Sequence, residues 1–144
     1  MAVNAAKISK NERIILKLTG RKIYAGFAEG EALVTGQGIS FFGGIDPDTG
    51  VVVERGHDLY GQSIAGRVLV FPRGKGSTVG SYTLYRLKKA GKAPAAILNA
   101  ECETITAVGC IIAEIPCLDQ IEIGRLHSGQ HLKVDGEAGT VEIS

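Results

Sequence analysis

The chain reads as an α/β protein: a strand-rich first half, a compact β/α/β/α/β unit and a closing hairpin. Three observations predict this class. Residues 67–118 alternate short apolar runs with stretches that read as helices, the order of parallel strands joined by crossover helices. Ahead of them, β-forming residues are interrupted every few positions by glycine. Behind them, two alternating segments flank Asp135-Gly136, a turn signal suited to a hairpin.

The elements follow in order. Residues 1 to about 11 are small and polar and predict a loose extension, and Arg13–Leu18 predicts a first strand. The domain proper is expected over 21–144, with 1–20 as an N-terminal extension. Residues 22–34 predict extended structure with glycine-marked bends. Residues 35–50 are glycine-rich, and Pro47-Asp48-Thr49-Gly50 is a strong turn signal. Val51–Glu54 predicts a strand, and 55–66 a loop holding His57, Asp58, Tyr60 and Gly61. Strands are expected at 67–71, 95–99 and 115–118, and helices at about 78–90 and 103–113. Gly91 stops the first helix, and Lys88 and Lys89 suit its negative end. Segments 130–134 and 139–143 form the hairpin.

Composition narrows the function. At 144 residues the chain is one domain, large enough to fold without a disulfide or a metal. A net charge of +1 argues against a nucleic-acid partner, which calls for a basic stripe. The 20 glycines are about twice the usual share, predicting tight turns and close backbone approaches. Cys102, Cys110 and Cys117 contain no C-x-x-C pair, so no cofactor cluster is expected on this chain alone. Their odd number, with no signal peptide read at the start, fits a reducing cytoplasm. No apolar run approaches the roughly 20 residues of a membrane span, so no membrane partner is expected.

The stretch that carries chemistry is Phe71-Pro72-Arg73-Gly74-Lys75-Gly76-Ser77-Thr78-Val79-Gly80-Ser81. A glycine-rich strand-to-helix turn aims backbone N–H groups and the positive end of a helix at one point. Two cations and two hydroxyls lie in the same turn, which makes it a candidate anion site. It is not a nucleotide P-loop, since Leu69 stands where the first glycine belongs and Gly76 where Ser or Thr belongs. It is not a dinucleotide fingerprint either, since Gly80 comes one residue late. A turn that merely lets helix and sheet pack closely explains the glycines equally well. The combination of Arg73, Lys75, Ser77 and Thr78 exceeds what packing requires. Ser77 is either a base whose charged form the turn stabilises or a simple helix cap, and both fit the sequence.

Other candidates are weaker. Phe41-Phe42-Gly43-Gly44-Ile45-Asp46 predicts one core phenylalanine, or else a partner surface. His57 with Asp58 reads as a solvated loop pair or a catalytic one. His127 and His131 have helical metal spacing, but Ser128-Gly129 between them favours a turn.

Several separated motifs occur together. They are Glu29-Gly30-Glu31-Ala32-Leu33-Val34, Ser40 to Gly50, His57-Asp58-Leu59-Tyr60-Gly61, Gly66 to Pro72, Gly74 to Tyr82, and Ala93-Pro94-Ala95-Ala96-Ile97. In this order they resemble the small subunits of archaeal phosphomevalonate dehydratases, enzymes of the aconitase X type. The resemblance covers residue 20 or so to the end. It implies a swivelling β/β/α three-layer domain. It also implies a large partner subunit holding a [4Fe–4S] cluster, in a heterodimer or higher assembly, and a small phosphorylated hydroxy acid as substrate. The implied reaction removes water from mevalonate 5-phosphate to give trans-anhydromevalonate 5-phosphate for isoprenoid synthesis. The family's base, a serine of the glycine-rich loop, maps onto Ser77. Arg73, Gly74, Lys75, Gly76 and Thr78 are then expected to bind carboxylate or phosphate, and Phe42, Gly43, Gly44 and Asp46 to line the cleft or interface. Three alternatives stay open: another aconitase X dehydratase, such as one acting on a hydroxyproline; a non-catalytic anion-binding or carrier swivelling module; and a plain structural subunit whose glycine loop only packs.

Overall fold

The computed structural model describes residues 3–8 and 14–144, with side chains from Leu16 onward. The strands are β1 (Val3–Ile8), β2 (Ile14–Thr19), β3 (Arg21–Tyr24), β4 (Phe27–Val34), β5 (Val68–Phe71), β6 (Ala96–Asn99), β7 (Cys117–Asp119), β8 (His131–Asp135) and β9 (Thr140–Ile143). The helices are a distorted single turn, α1 (Phe41–Gly44), then α2 (Gly80–Lys89) and α3 (Thr104–Ala113), with a 3-10 turn at Ile123–Arg125. The strand order is β1-β2-β9-β8-β4-β5-β6-β7-β3.

Strand β4 belongs to both halves of this sheet. Its residues 27–31 pair antiparallel with β8, and its residues 32–34 pair parallel with β5. From β5 through β6 to β7 the strands are parallel, as the β/α/β/α/β reading expected. Strand β3 closes that edge antiparallel to β7. Only Gly20 separates β2 from β3, although they lie near opposite ends of the strand order. The sheet must therefore curl until its two halves face each other. A Cβ at Gly20 would overlap the Asp119 carbonyl and Ile121, and its N–H donates to the Gly139 carbonyl at 2.9 Å.

Side chains alternate across the strands and fill two cores. Leu18, Ala32, Val68, Val70, Ala96, Leu98, Leu118, Leu132, Val134 and Val141 fill the space between the two halves of the sheet. Leu33, Leu69, Phe71, Ile97 and Cys117 point the other way, against Leu84 and Leu87 of α2 and Cys110 and Ala113 of α3. The result is the expected three layers, two of sheet and one of helix. Both faces of β5 and β6 are covered, which is why these strands read as unbroken apolar runs.

Local chemistry sets the helix ends. Gly91, at φ 72°, follows α2, with Lys92 N–H on the Leu87 carbonyl and Gly91 N–H on the Lys88 carbonyl. Glu103 caps α3 by accepting the N–H groups of Ile105 and Thr106, each at 2.8 Å. The hairpin forms as expected, with β8 and β9 paired antiparallel.

Two expectations need correction. Val51–Glu54 is not a strand: Val51 bridges Ser63 and Val52 bridges Ile45, so neighbouring residues find different partners and no ladder can grow. The loose extension expected over 1–11 contains β1, paired antiparallel with β2; the rest of that stretch lies outside the described residues. The strand expected over Arg13–Leu18 does form, as β2, which pairs with β9 and buries Leu18 completely. Among the described residues no helix is long and apolar enough to cross a membrane.

Candidate functional site

The glycine-rich turn leaves the carboxyl end of β5, at the edge where parallel sheets present ligand sites. Phe71 is wholly buried and meets Phe41 edge-on at 5.8 Å between ring centroids. The buried Asn99 side chain donates to the Phe71 carbonyl at 3.0 Å. The Pro72 carbonyl accepts the N–H groups of Ala100 and Glu101 at 3.1 Å each. The end of β5 is thus pinned to the end of β6 before the turn begins.

The turn is then wedged between two neighbours. On one side, Ile39 N–H donates to the Arg73 carbonyl at 3.4 Å and Lys75 N–H to the Ile39 carbonyl at 2.9 Å. On the other, a Cβ at Gly74 would overlap the Glu103 carboxylate and the Thr106 hydroxyl at the start of α3. Gly76 has φ 92°, and Ser40 Oγ occupies the place a Cβ would take. Close packing therefore does account for the glycines, as the plainer reading held.

Packing does not account for what the turn exposes. The N–H groups of Gly76, Ser77 and Thr78 make no hydrogen bond among the described residues. Three successive free amides ahead of a helix are the donors that an anion site requires. Ser77 and Thr78 are exposed beside them. Ser77 Oγ accepts Val79 N–H at 3.2 Å, closing a turn before the helix proper begins at Gly80. The cap reading of Ser77 is met only in this limited form. Ser81 Oγ donates to the Thr78 carbonyl at 2.8 Å and steadies the same turn.

The two cations are paired. Arg73 lies 3.1 Å from Glu101 and Lys75 lies 3.2 Å from Glu54. These carboxylates were not singled out from sequence, because each lies far along the chain from its cation. All four side chains reach solvent, so each pair contributes at most about 1 kcal/mol and opens readily for a competing anion.

The 41–46 segment lies next to the turn. Phe41 is core and Phe42 is 52% exposed, so the paired phenylalanines divide as expected. A Cβ at Gly80 would stand 3.6 Å from both Phe41 Cβ and Phe42 N. Gly43 is exposed at φ 86°, and Gly44 is buried against the Glu54 that holds Lys75. Asp46 closes its own turn instead, accepting Asp48 N–H at 2.8 Å.

The remaining candidates fall elsewhere. His57 is buried, not solvated, and bonds Leu59 N–H and the Gly38 carbonyl. His127 is exposed by the Ser128-Gly129 turn, and His131 on β8 bonds Glu29. Cys102 and Cys117 approach to 4.0 Å, and their contact together with burial pushes the Cys102 thiol well above its ordinary range. Among the described residues no three His, Cys, Asp or Glu side chains gather to hold a metal ion. A groove of about 480 Å³ opens between Lys17, Phe27, Lys133 and Glu142, and no residue of the glycine-rich turn lines it. Residues 75–79 of the turn are exposed.

Fold and turn together define a swivelling domain, and the aconitase X swivel domain model matches residues 17–143. The chain belongs to the aconitase X swivel domain family. It is 57% identical over 128 residues to the phosphomevalonate dehydratase small subunit of Thermococcus onnurineus, covering 89% of this chain and 98% of that one. It is 54% identical over 131 residues to the protein of that name from Methanosarcina acetivorans, covering 89% and 91%. The crystal structure of Thermococcus kodakaraensis aconitase X in its holo form matches with a TM-score of 0.88 at 55% identity, covering 89% of this chain and 98% of that one.

Proposed function

We infer that this chain is the small subunit of a two-subunit hydro-lyase that dehydrates mevalonate 5-phosphate to trans-anhydromevalonate 5-phosphate in isoprenoid synthesis. The observation that carries the reading is a serine hydroxyl exposed beside three free backbone amides, in a chain matched nearly end to end by relatives of that name. Small-subunit relatives imply a larger partner. An open half-site on this chain agrees with that.

The chemistry assigned to this chain is proton removal. The proton lies beside a carboxylate and is weakly acidic, so its base must sit close and in an environment that tolerates negative charge. Ser77 Oγ is that base: the C–H pair becomes the new double bond, the proton passes to the serine oxygen, and hydroxide leaves from the adjacent carbon. The amides of Gly76, Ser77 and Thr78 stabilise charge on the serine oxygen or on a substrate oxyanion. Arg73 and Lys75 exchange their carboxylate partners for the substrate's carboxylate or phosphate. The [4Fe–4S] cluster implied by the family belongs to the larger subunit. Bound there, the cluster would supply Lewis acidity toward the departing hydroxyl. A cytoplasmic setting goes with this reading, the three cysteines being free thiols.

The test is reconstitution with the larger subunit, prepared without oxygen, and assay of water loss from mevalonate 5-phosphate. This chain alone should be inactive and the mixture active. Ser77→Ala should leave the complex intact and lower turnover by about 10²–10⁴-fold, the usual share of a general base. Full activity in that variant refutes the assignment, and turnover of a hydroxyproline in place of the phosphorylated acid redirects the substrate.

A further inference from the structure

His57 is a buried titratable group that the reaction above leaves without a task. Its side chain is 2% exposed. Nδ1 accepts Leu59 N–H at 3.1 Å, so the ring proton belongs on Nε2, which lies 3.0 Å from the Gly38 carbonyl and donates to it. Asp58 is the charged group facing the ring, at 3.4 Å from Nδ1, and its carboxylate also accepts the Thr35 hydroxyl at 2.6 Å. Asp58 N–H in turn donates to Gln37 Oε1 at 2.8 Å. Residues 57–58 thus grip the 35–38 segment at three points.

That segment leads straight to the glycine-rich turn. Ile39, next to Gly38, exchanges backbone hydrogen bonds with Arg73 and Lys75. Ser40 fills the space beside Gly76. Gly38 itself lies against the turn: a Cβ there would be 3.2 Å from the Arg73 carbonyl oxygen and 3.4 Å from Lys75 Cδ. One side of the turn is therefore built on a strip of backbone that His57 holds from beneath.

We propose that His57 is a positioning residue for the glycine-rich turn: neutral, protonated on Nε2, and acting through the Gly38 carbonyl on residues 73–76. It does not touch substrate. The proposal rests on the reading that this turn is the chain's share of the active site. Its physical basis is distance. A displacement of about 1 Å in a reacting group can lower turnover about 10²-fold, and one lost hydrogen bond under a glycine-rich strip permits such a displacement.

Two substitutions separate the two bonds of the ring. His57→Gln puts an amide donor near the Nε2 position and keeps the Gly38 bond. His57→Asn keeps an acceptor near Nδ1 for Leu59 and falls short of Gly38. In the reconstituted complex, His57→Asn should lower kcat about 10–100-fold with little change in KM, and His57→Gln should stay within about threefold of the parent. Amide exchange at Lys75, whose N–H bonds the Ile39 carbonyl, should rise about tenfold or more in the Asn variant and little in the Gln variant, reading the opening of the strip directly. Parent-like kcat in the Asn variant overturns the proposal. So does Lys75 exchange that is the same in the two variants. Nitrogen NMR of the unmodified chain decides independently of whether either variant folds: a ring proton found on Nδ1 overturns it. Ser77→Ala tests the base assignment alone, so retained activity there with split Lys75 exchange refutes the serine and not the histidine.

Discussion

Gly76→Ala is the sharpest probe of the turn, because its cost can be worked from the structure. Gly76 sits at φ 92°, and Ser40 Oγ stands where the new methyl would go. Holding a non-glycine residue at such a φ costs about 1–2 kcal/mol. Making room means turning Ser40 away from the Phe42 carbonyl, which its Oγ now meets at 3.0 Å. That loss costs about 0.5–1.5 kcal/mol. Alanine returns about 0.4–1 kcal/mol by restricting the unfolded chain. The net destabilisation centres on about 2 kcal/mol, read by urea denaturation of the isolated chain. Pairing it with Ser40→Ala tests the cause. The double variant lacks the hydroxyl that clashes, so it should be about 1 kcal/mol more stable than the two single effects summed. A Gly76→Ala cost below about 0.5 kcal/mol, or strict additivity with Ser40→Ala, would refute the argument from backbone angle and close approach.

Two further predictions concern the scaffold. Leu118 is wholly buried between the two halves of the sheet, so Leu118→Ala should cost about 2–5 kcal/mol by denaturant titration, and a cost under 1 kcal/mol would mean the halves do not share a core. The Glu29 carboxyl is held below its ordinary range chiefly by its hydrogen bond to His131, so its stabilising effect is complete above the ordinary carboxylate range and is lost as pH falls through the lowered value. Carbon NMR titration should show the Glu29 carboxyl returning to its ordinary range in His131→Ala, and an unchanged titration would remove His131 as the cause.

Much of the fold was legible because it is local or periodic. Gly91 ends α2 for a conformational reason visible in one residue, and the apolar runs at 68–71 and 96–99 announce strands covered on both faces. The helix-to-strand alternation implied parallel pairing before any contact was seen. Val51–Glu54 misled because a β-branched run carries strand propensity but cannot supply a partner, and its two bridging residues face different neighbours. The N-terminal stretch misled in the opposite direction. Small polar residues read as loose, yet a strand at the edge needs only backbone groups to pair.

Of the candidate site, the glycine-rich turn was legible as a turn and its surroundings were not. Glycine spacing, two cations and two hydroxyls marked residues 71–81. Nothing in the sequence joined Arg73 to Glu101, Lys75 to Glu54, or His57 to Gly38, since each bond closes only when distant segments meet. Asp58 is solvated as its polarity suggests, but its neighbour His57 is buried, because burial depends on what packs over a loop and not on the loop's own composition.

Residue order alone determined the class of fold, the place of the glycine-rich turn and the family, because propensity, periodicity and motif spacing are properties of neighbours along the chain. Tertiary structure alone decided that the glycines of the turn serve packing and exposure at once. Gly74 and Gly76 lack side chains because Glu103, Thr106 and Ser40 occupy that space, while the amides of Gly76, Ser77 and Thr78 stay free because no described segment of this chain bonds them. Hydrogen bonds and excluded volume between segments remote in sequence make that distinction, and they exist only once the sheet has curled and the helices have closed over it.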